Sequence, residues 1–233
     1  MEIYAVKVLD ISEKELHDVC LLIDKEKKGR IEKFINRKDK IRTLISEILL
    51  RTIIMEKFNI NNNYTIIEKN QYGKPYLKCY PNFNFNISHS GDFVVCAIDD
   101  KPIGIDIEKI KNIEYKEIVK SFFSVNEFNY ITKEQLNIQL SKFYEIWTLK
   151  ESYIKCCGKG LSIPLKSFSI DIDRYQNIKV IINNEYKEYT FKRFDIEEGY
   201  KIAVCSLNKE IPNNITIINQ KSLINDYCKI ALE

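Results

Sequence analysis

The segment Ile103-Gly-Ile-Asp-Ile-Glu108 places two acids, Asp106 and Glu108, two residues apart in an alternating run. On a strand that spacing projects both carboxylates from one face, while Ile103, Ile105 and Ile107 project from the other toward a core. Adjacent carboxylates repel unless a cation neutralises them. Ligands that are all oxygen favour Mg2+ or Mn2+, with phosphates and waters completing the shell. Asp171 and Asp173 form a rival pair, but Asp173 runs directly into Arg174 and a polar turn, so a solvated strand edge explains it better.

A second group lies on a helical pattern. Trp147, Glu151 and Lys155 recur every four residues and share one stripe, with Lys150 near its edge. Two readings stand side by side. One is a helix-stabilising Glu–Lys pair worth about 0.3–0.5 kcal/mol. The other is a carboxylate and an ammonium offered to a phosphate–metal cluster. Ser88-His89-Ser90-Gly91 closes another alternating run, where a hydroxyl and an imidazole either form a hydrogen-bonded turn or hold a phosphate. Between Lys25 and Arg42 nine basic residues face three acidic ones, although the whole chain is only +3. That local excess reads as a solvated helical face or as a positive field for an anionic ligand. Walker, GxGxxG and GxSxG patterns do not occur, which argues against a P-loop kinase, a dinucleotide enzyme and an α/β-hydrolase.

These groups need a scaffold. With 233 residues, 45% of them hydrophobic and 30% charged, the chain can build a core as one large domain or two small ones. Its longest apolar runs fall far short of the roughly 20 residues that span a bilayer. MEIYAVKVLDISEKEL has no signal-peptide pattern, so a cytoplasmic location and no membrane partner are expected. The seven cysteines have no CxxC spacing and only two histidines accompany them, so they read as small buried hydrophobes rather than zinc ligands.

Alternation predicts strands over the first nine residues and over 83–90, 93–98, 103–108 and 168–172. Further short strands are expected near 179–182, 189–194 and 201–207. A loop is expected at 61–63, a strand at 64–68 and a turn at 72–75. Apolar spacing predicts helices over 41–59, 115–123, 126–132 and 140–157. A long helix, a Gly-Lys pair and strands containing Gly91-Asp-Phe-Val-Val-Cys-Ala-Ile are echoed by a second long helix, Gly158-Lys159 and Gly199-Tyr-Lys-Ile-Ala-Val-Cys-Ser-Leu. The echo points to a duplicated α+β unit with a ligand cleft between the copies.

Taken together, Phe85-Asn-Ile-Ser-His-Ser-Gly91, Pro102-Ile-Gly-Ile-Asp-Ile-Glu108 and Trp147-Thr-Leu-Lys-Glu-Ser-Tyr-Ile-Lys155 resemble the signature blocks of the Sfp-type 4'-phosphopantetheinyl transferases. Tyr72-Gly-Lys-Pro75, Arg42-Thr-Leu44 and Gly158-Lys-Gly-Leu-Ser-Ile-Pro-Leu165 extend the likeness over nearly the whole chain, toward the surfactin-synthetase-activating type.

The resemblance implies two similar α+β lobes about a pseudo-twofold axis, divided as 1–104 and 105–233, with the last residues packing back on the first lobe. It implies coenzyme A between the lobes as co-substrate and Mg2+, or alternatively Mn2+, as cofactor. Phosphopantetheine would pass to a serine of an acyl or peptidyl carrier protein, releasing adenosine 3',5'-bisphosphate. By the same likeness Asp106, Glu108 and Glu151 hold the metal and Lys155 contacts the pyrophosphate. Glu151 is the base, directly or through water, with Glu127 as fallback. Ser88, His89 and Lys74 hold the 3'-phosphate, and Arg42, Arg30 and Lys27 complete a positive rim. The carrier would dock on residues 113–130, with Phe122, Phe123, Phe128 and Tyr130 as anchors and Lys116 and Lys120 steering. A monomer without a nucleic-acid partner is expected.

Three other readings compete. A metal-dependent phosphodiesterase or pyrophosphatase would hydrolyse coenzyme A instead of modifying a carrier. A non-catalytic carrier-binding protein would not need the intact set Asp106, Glu108, Glu151 and Lys155. A nucleic-acid binder would use Lys25–Arg42, but the near-neutral total charge weakens that reading.

Overall fold

The computed structural model describes residues 1–62 and 65–232, apart from the side chain of Leu161. In chain order the elements are β1 (Glu2–Lys7), α1 (Glu13–Cys20), α2 (Lys25–Glu32), α3 (Arg37–Phe58), β2 (Ile67–Lys69), β3 (Pro75–Leu77), β4 (Asn84–Ser90), β5 (Phe93–Asp99) and β6 (Ile103–Lys109). They continue with α4 (Tyr115–Phe122), α5 (Val125–Thr132), α6 (Leu136–Cys157), β7 (Phe168–Ile172), β8 (Ile178–Ile182), β9 (Glu185–Lys187), β10 (Thr190–Phe194), β11 (Tyr200–Ser206), β12 (Thr216–Ile218) and α7 (Gln220–Leu232).

Two sheets and two long helices organise this α+β fold. The first sheet has the order β12-β1-β5-β4, and the second β10-β11-β6. Strand alternation gives each sheet two apolar faces. Val94, Cys96 and Ile98 of β5 turn toward α3, whereas Phe93, Val95 and Ala97 turn the other way. There they meet Ile103, Ile105 and Ile107 of β6 and Ile202 and Val204 of β11, so the sheets share one core. Ala203 and Cys205 of β11 face α6 instead. The layers therefore run helix, sheet, sheet, helix, with α3 and α6 outermost.

The two lobes share a plan. Both α3 and α6 have 22 residues, and both end on a left-handed residue, Asn59 at φ 50° and Gly158 at φ 69°. Apolar periodicity located both helices but began each one late: the first turn of α3 is polar, and α6 begins with Leu136 and Ile138 exposed. Asn36 caps α3 by accepting from the Lys38 amide, so the helix starts at Arg37 rather than at 41. α1, α2, β9, β12 and α7 are not among the expected elements; α1 and α7 do bury an apolar stripe, Leu16, Val19 and Cys20 in one and Leu223, Ile224 and Tyr227 in the other. β12 pairs in parallel with β1, and α7 adds Leu223, Ile224 and Tyr227 to the core beneath α3. The expected loop at 61–63 and strand at 64–68 fall partly on residues 63 and 64, outside the described residues. The strand that forms is β2, from Ile67.

Two close approaches build the region around β6, one between the lobes and one within the second. Along the seam, edge strands β4 and β6 are stitched by side chains: Asn86 Oδ1 accepts from the Ile105 amide at 2.9 Å and Ser90 Oγ from the Lys109 amide at 3.1 Å. At Gly104, a Cβ would lie 2.0 Å from the Ser152 carbonyl oxygen and 2.4 Å from the Cys156 nitrogen. Only glycine lets β6 meet α6 this closely. All seven cysteines are free thiols, and Cys20, Cys96, Cys156 and Cys205 are buried.

Candidate functional site

Because the isoleucines of β6 fill the shared core, Gly104, Asp106 and Glu108 face α6. The α6 stripe opposite them is Trp147, Glu151 and Lys155, all half-buried. Lys155 does not pair with Glu151 one turn earlier. Its ammonium stands 2.6 Å from Asp106 Oδ1, 2.9 Å from Ser88 Oγ and 3.2 Å from the Ile105 carbonyl. The Ser88 hydroxyl in turn donates to Asp106 Oδ1 at 2.9 Å, and Ser90 donates to Glu108 Oε2 at 2.8 Å. Asp106 Oδ2 is buried without a hydrogen-bond partner.

The electrostatics are those of crowded acids. Burial, and then the Asp106 carboxylate, push the Glu108 pKa above the usual range. Burial and the same Asp106 charge raise Glu151, with Lys155 opposing. Among the described residues no His, Cys, Asp or Glu trio converges closely enough to form a ready-made metal cage. The contacts give the reason: Lys155 holds Asp106, and Ser90 draws Glu108 toward β4.

His89, next to Ser88 on β4, points to the opposite face, toward α3. Crowding by protein, and then the Arg42 charge, keep its pKa below the ordinary imidazole value. Arg42 donates to the Gly91 carbonyl at 2.5 Å and pairs with Asp39, while its buried Nε has no partner. Ser88 and His89 thus look into the two lobes from adjacent positions, one toward the acids and one toward the first cations of α3.

Lys74 departs from the expectation that it reads a phosphate. Its ammonium donates to the carbonyls of Lys155 at 2.7 Å, Ile103 at 3.0 Å and Cys156 at 3.3 Å. Three protons meet three carbonyls, so Lys74 caps the end of α6, and Asn70 adds a bond to the Gly158 carbonyl at 2.9 Å. Lys27 pairs with Glu47 at 2.8 Å. Arg30 is exposed. Among the described residues no hydrogen bond or ion pair joins Lys27 or Arg30 to His89, Ser88 or Lys155.

Two family models divide the chain. Residues 10–101 match the N-terminal model of 4'-phosphopantetheinyl transferases, and residues 102–205 match the model of the 4'-phosphopantetheinyl transferase superfamily. The chain is 35% identical over 225 residues to 4'-phosphopantetheinyl transferase Sfp of Bacillus subtilis (strain 168), covering 96% of this chain and 100% of that one. The chain belongs to the 4'-phosphopantetheinyl transferase superfamily. It is also 40% identical over 204 residues to 4'-phosphopantetheinyl transferase gsp of Aneurinibacillus migulanus, covering 87% of this chain and 84% of that one. A crystal structure of a holo-(acyl-carrier-protein) synthase from Bacillus anthracis str. Ames matches 45% of this chain and 93% of its own at 18% identity and a TM-score of 0.39.

Within this transferase fold, several expectations about residues near the site change. Glu127, the fallback base, is sealed from solvent and accepts from Lys150 Nζ at 2.7 and 3.0 Å, from the Ile170 amide at 2.8 Å and from the Ser124 amide at 2.7 Å. It is a structural junction and cannot reach a substrate hydroxyl. Phe123 is no surface anchor either: it is 4% exposed and stacks on Phe143 at 5.7 Å. Phe128 and Tyr130 are half-buried, with Lys142 over the Tyr130 ring. Phe122, Val125 and Ile113 remain exposed on and beside α4 and α5. Asp173 accepts from the Tyr175 and Asn177 amides, which makes it a turn residue. Sequence reasoning missed Ser90 and Asn86. Their signal was the polar face of the 83–90 alternation, of which only Ser88 was assigned a task.

Proposed function

We propose that this chain transfers the 4'-phosphopantetheine group of coenzyme A to a serine hydroxyl of an acyl or peptidyl carrier protein, releasing adenosine 3',5'-bisphosphate. One observation carries the reading most: Asp106, Glu108 and Glu151 act on one another's charge across β6 and α6, and Lys155 is the one ammonium paired directly with them among the described residues, beside the seam with β4. The donors fit a hard divalent ion. They are all carboxylate oxygens, and one of them, Asp106 Oδ2, is buried with nothing bonded to it. Asp106, Glu108 and Glu151 would hold Mg2+, or Mn2+ in its place, and the ion would supply positive charge to the pyrophosphate oxygens.

The chain's own residues do the rest. In the transfer, the serine oxygen forms a bond to the phosphorus that carries pantetheine. The bond from that phosphorus to the bridging oxygen breaks, and its electron pair leaves on adenosine 3',5'-bisphosphate. Glu151 Oε, directly or through a water, takes the serine proton. Lys155 binds a pyrophosphate oxygen as a point charge in a partly dry cleft. His89 and Arg42, with Arg30 and Lys27 farther out, hold the 3'-phosphate. Lys74 keeps the end of α6 in place rather than contacting the nucleotide.

The nucleotide side of this reading is residues 1–104 and the catalytic side 105–233. The carrier docks on exposed Phe122, Val125 and Ile113, with Lys116 and Lys120 attracting its acidic surface. The protein works as a monomer in the cytoplasm; among the described residues no helix is long and apolar enough to cross a membrane. The test is intact-mass measurement of purified carrier domains incubated with the protein, coenzyme A and Mg2+. A gain of one phosphopantetheine supports the transferase. Hydrolysed coenzyme A with unmodified carriers would replace it with a pyrophosphatase.

A further inference from the structure

The Lys155 ammonium has three protons, and three oxygens from two strands receive them: Asp106 Oδ1, Ser88 Oγ and the Ile105 carbonyl. An all-oxygen cradle around a positive charge is also what a hard metal ion requires. Asp106 is nearly enclosed, with 5% of its side chain exposed against 25% for Lys155. Among the described residues no ion pair reaches Glu108 or Glu151. Lys155 is thus the one ammonium paired directly with any of the three acids among the described residues, and it sits on the most deeply buried of them, while Lys111 acts on Glu108 only from farther off.

We propose that Lys155 is the resident counter-cation of Asp106, and that a divalent ion binds by displacing it. The inference rests on the reading of Asp106, Glu108 and Glu151 as metal ligands. In the free protein the ammonium keeps a buried carboxylate from standing unpaired. It also holds Asp106 Oδ1 together with the Ser88 hydroxyl. When a divalent ion takes Asp106, the ammonium is repelled from the site. Its partly exposed, four-carbon stem lets it turn outward to solvent, where it would meet the phosphate oxygens of a bound substrate. Metal binding thereby frees the lysine for its phosphate contact, and one cation exchanges for another with no acid left bare.

Competition makes a prediction opposite to simple loss of function. Removing a cation from a catalytic site usually weakens ligand binding, but here removing Lys155 strengthens metal binding. The experiment measures Mn2+ alone, without coenzyme A, by titration calorimetry and by the electron paramagnetic resonance of free Mn2+. The proteins are the native chain and the variants K155M, K155R, S88A and D106N. K155M is expected to bind Mn2+ about tenfold or more tightly than native, the order of one lost charge-assisted contact. K155R keeps the charge and should stay near native. S88A loosens the ammonium's seat and should move affinity the same way as K155M, by less, so the proposal stays testable if K155M folds poorly. Thermal denaturation gives a second readout: K155M should melt below native without metal and recover with saturating Mn2+. Equal or weaker Mn2+ binding in both K155M and S88A, with binding lost in D106N, would overturn the exchange and leave the metal reading standing. No Mn2+ binding by any of the proteins would overturn both.

Discussion

The Lys150 ammonium lies 2.7 Å from the Glu127 carboxylate, and neither side chain touches solvent. The third Lys150 proton goes to the Phe168 carbonyl at 2.9 Å, and the ring of Phe168 lies 4.1 Å away. Burial lowers the Lys150 pKa while Glu127 opposes that shift. The pair ties α5, α6 and β7 together one residue before Glu151. Glu127→Ala should therefore cost about 3–5 kcal/mol, because it strands a buried charge. The double variant E127L/K150M should recover most of that loss, and its turnover per folded molecule should stay within a few-fold of native. Urea denaturation and carrier-loading rates on the same samples check both points. Collapse of turnover in the well-folded double variant would bring Glu127 back into the chemistry.

Gly104→Ala makes a different kind of prediction. The new Cβ meets backbone atoms of α6, at 2.0 Å from the Ser152 oxygen, so no side chain can rotate away. The helix must shift off β6. Overpacking of this kind costs about 1–3 kcal/mol or more. The shift also moves Glu151 and Lys155 of α6 away from Asp106 and Glu108 of β6, so turnover should fall further than stability alone would explain. A G104A protein with native melting temperature and native turnover would show that β6 and α6 do not meet as described.

The sequence carried the sheets well, for a physical reason. Alternation in Phe85–Ser90 and Ile103–Glu108 is strict because both faces of those strands have work to do, one in a core and one in a site. Lys74 shows where such reasoning stops. Its number in the chain says nothing about the α6 carbonyls it meets, some eighty residues later. The same holds for Lys155: its helical spacing suggested Glu151, but the β6 acid across the layer is nearer and more buried, so it wins the charge. Phe123 was expected as an exposed anchor and Glu127 as a fallback base, but both are buried, Phe123 against Phe143 and Glu127 against Lys150, partners that lie on α6 and out of reach of local spacing.

The nucleotide side separates two residues that the sequence grouped. His89→Ala should weaken coenzyme A binding about ten- to a hundredfold, the cost of a charge-assisted hydrogen bond, and should scarcely affect 3'-dephospho-coenzyme A. Lys74→Met should destabilise the end of α6 and weaken both ligands alike. The pH dependence has a definite sign. His89 is held below the ordinary imidazole pKa, so it is mostly neutral near pH 7 in the free protein. A bound phosphate favours the charged ring, so binding takes up a proton and affinity rises as pH falls. Without ligand, the unfolded chain binds that proton more readily than the folded one. The free protein therefore loses stability as pH drops from the unfolded imidazole value toward the lowered folded one. Calorimetry of both ligands across that range, with H89A as the flat control, checks the assignment.

Glu151→Gln tests the centre of the proposed chemistry. A surface helix pair with Lys155 would predict a stability loss under about 1 kcal/mol and unchanged turnover. The structure removes that pair, because Lys155 bonds Asp106 instead. What Glu151 has is burial and two acidic neighbours that raise its pKa. Replacing it with neutral glutamine relieves repulsion, so stability should hold or rise at neutral pH. Sign follows from linkage: an acid with a raised folded pKa binds its proton more tightly folded than unfolded, so it costs stability as pH climbs through that range, and glutamine abolishes the cost. Turnover should fall by several orders of magnitude, since glutamine neither accepts the serine proton nor offers a charge to a metal ion. Coenzyme A should still bind, because His89 and Arg42 are untouched. A stabilised variant with lost kcat and retained coenzyme A affinity is the expected combination. A Glu151→Gln protein with native turnover would remove Glu151 from both tasks and leave Glu108, the other half-buried acid with a raised pKa, as the base to test.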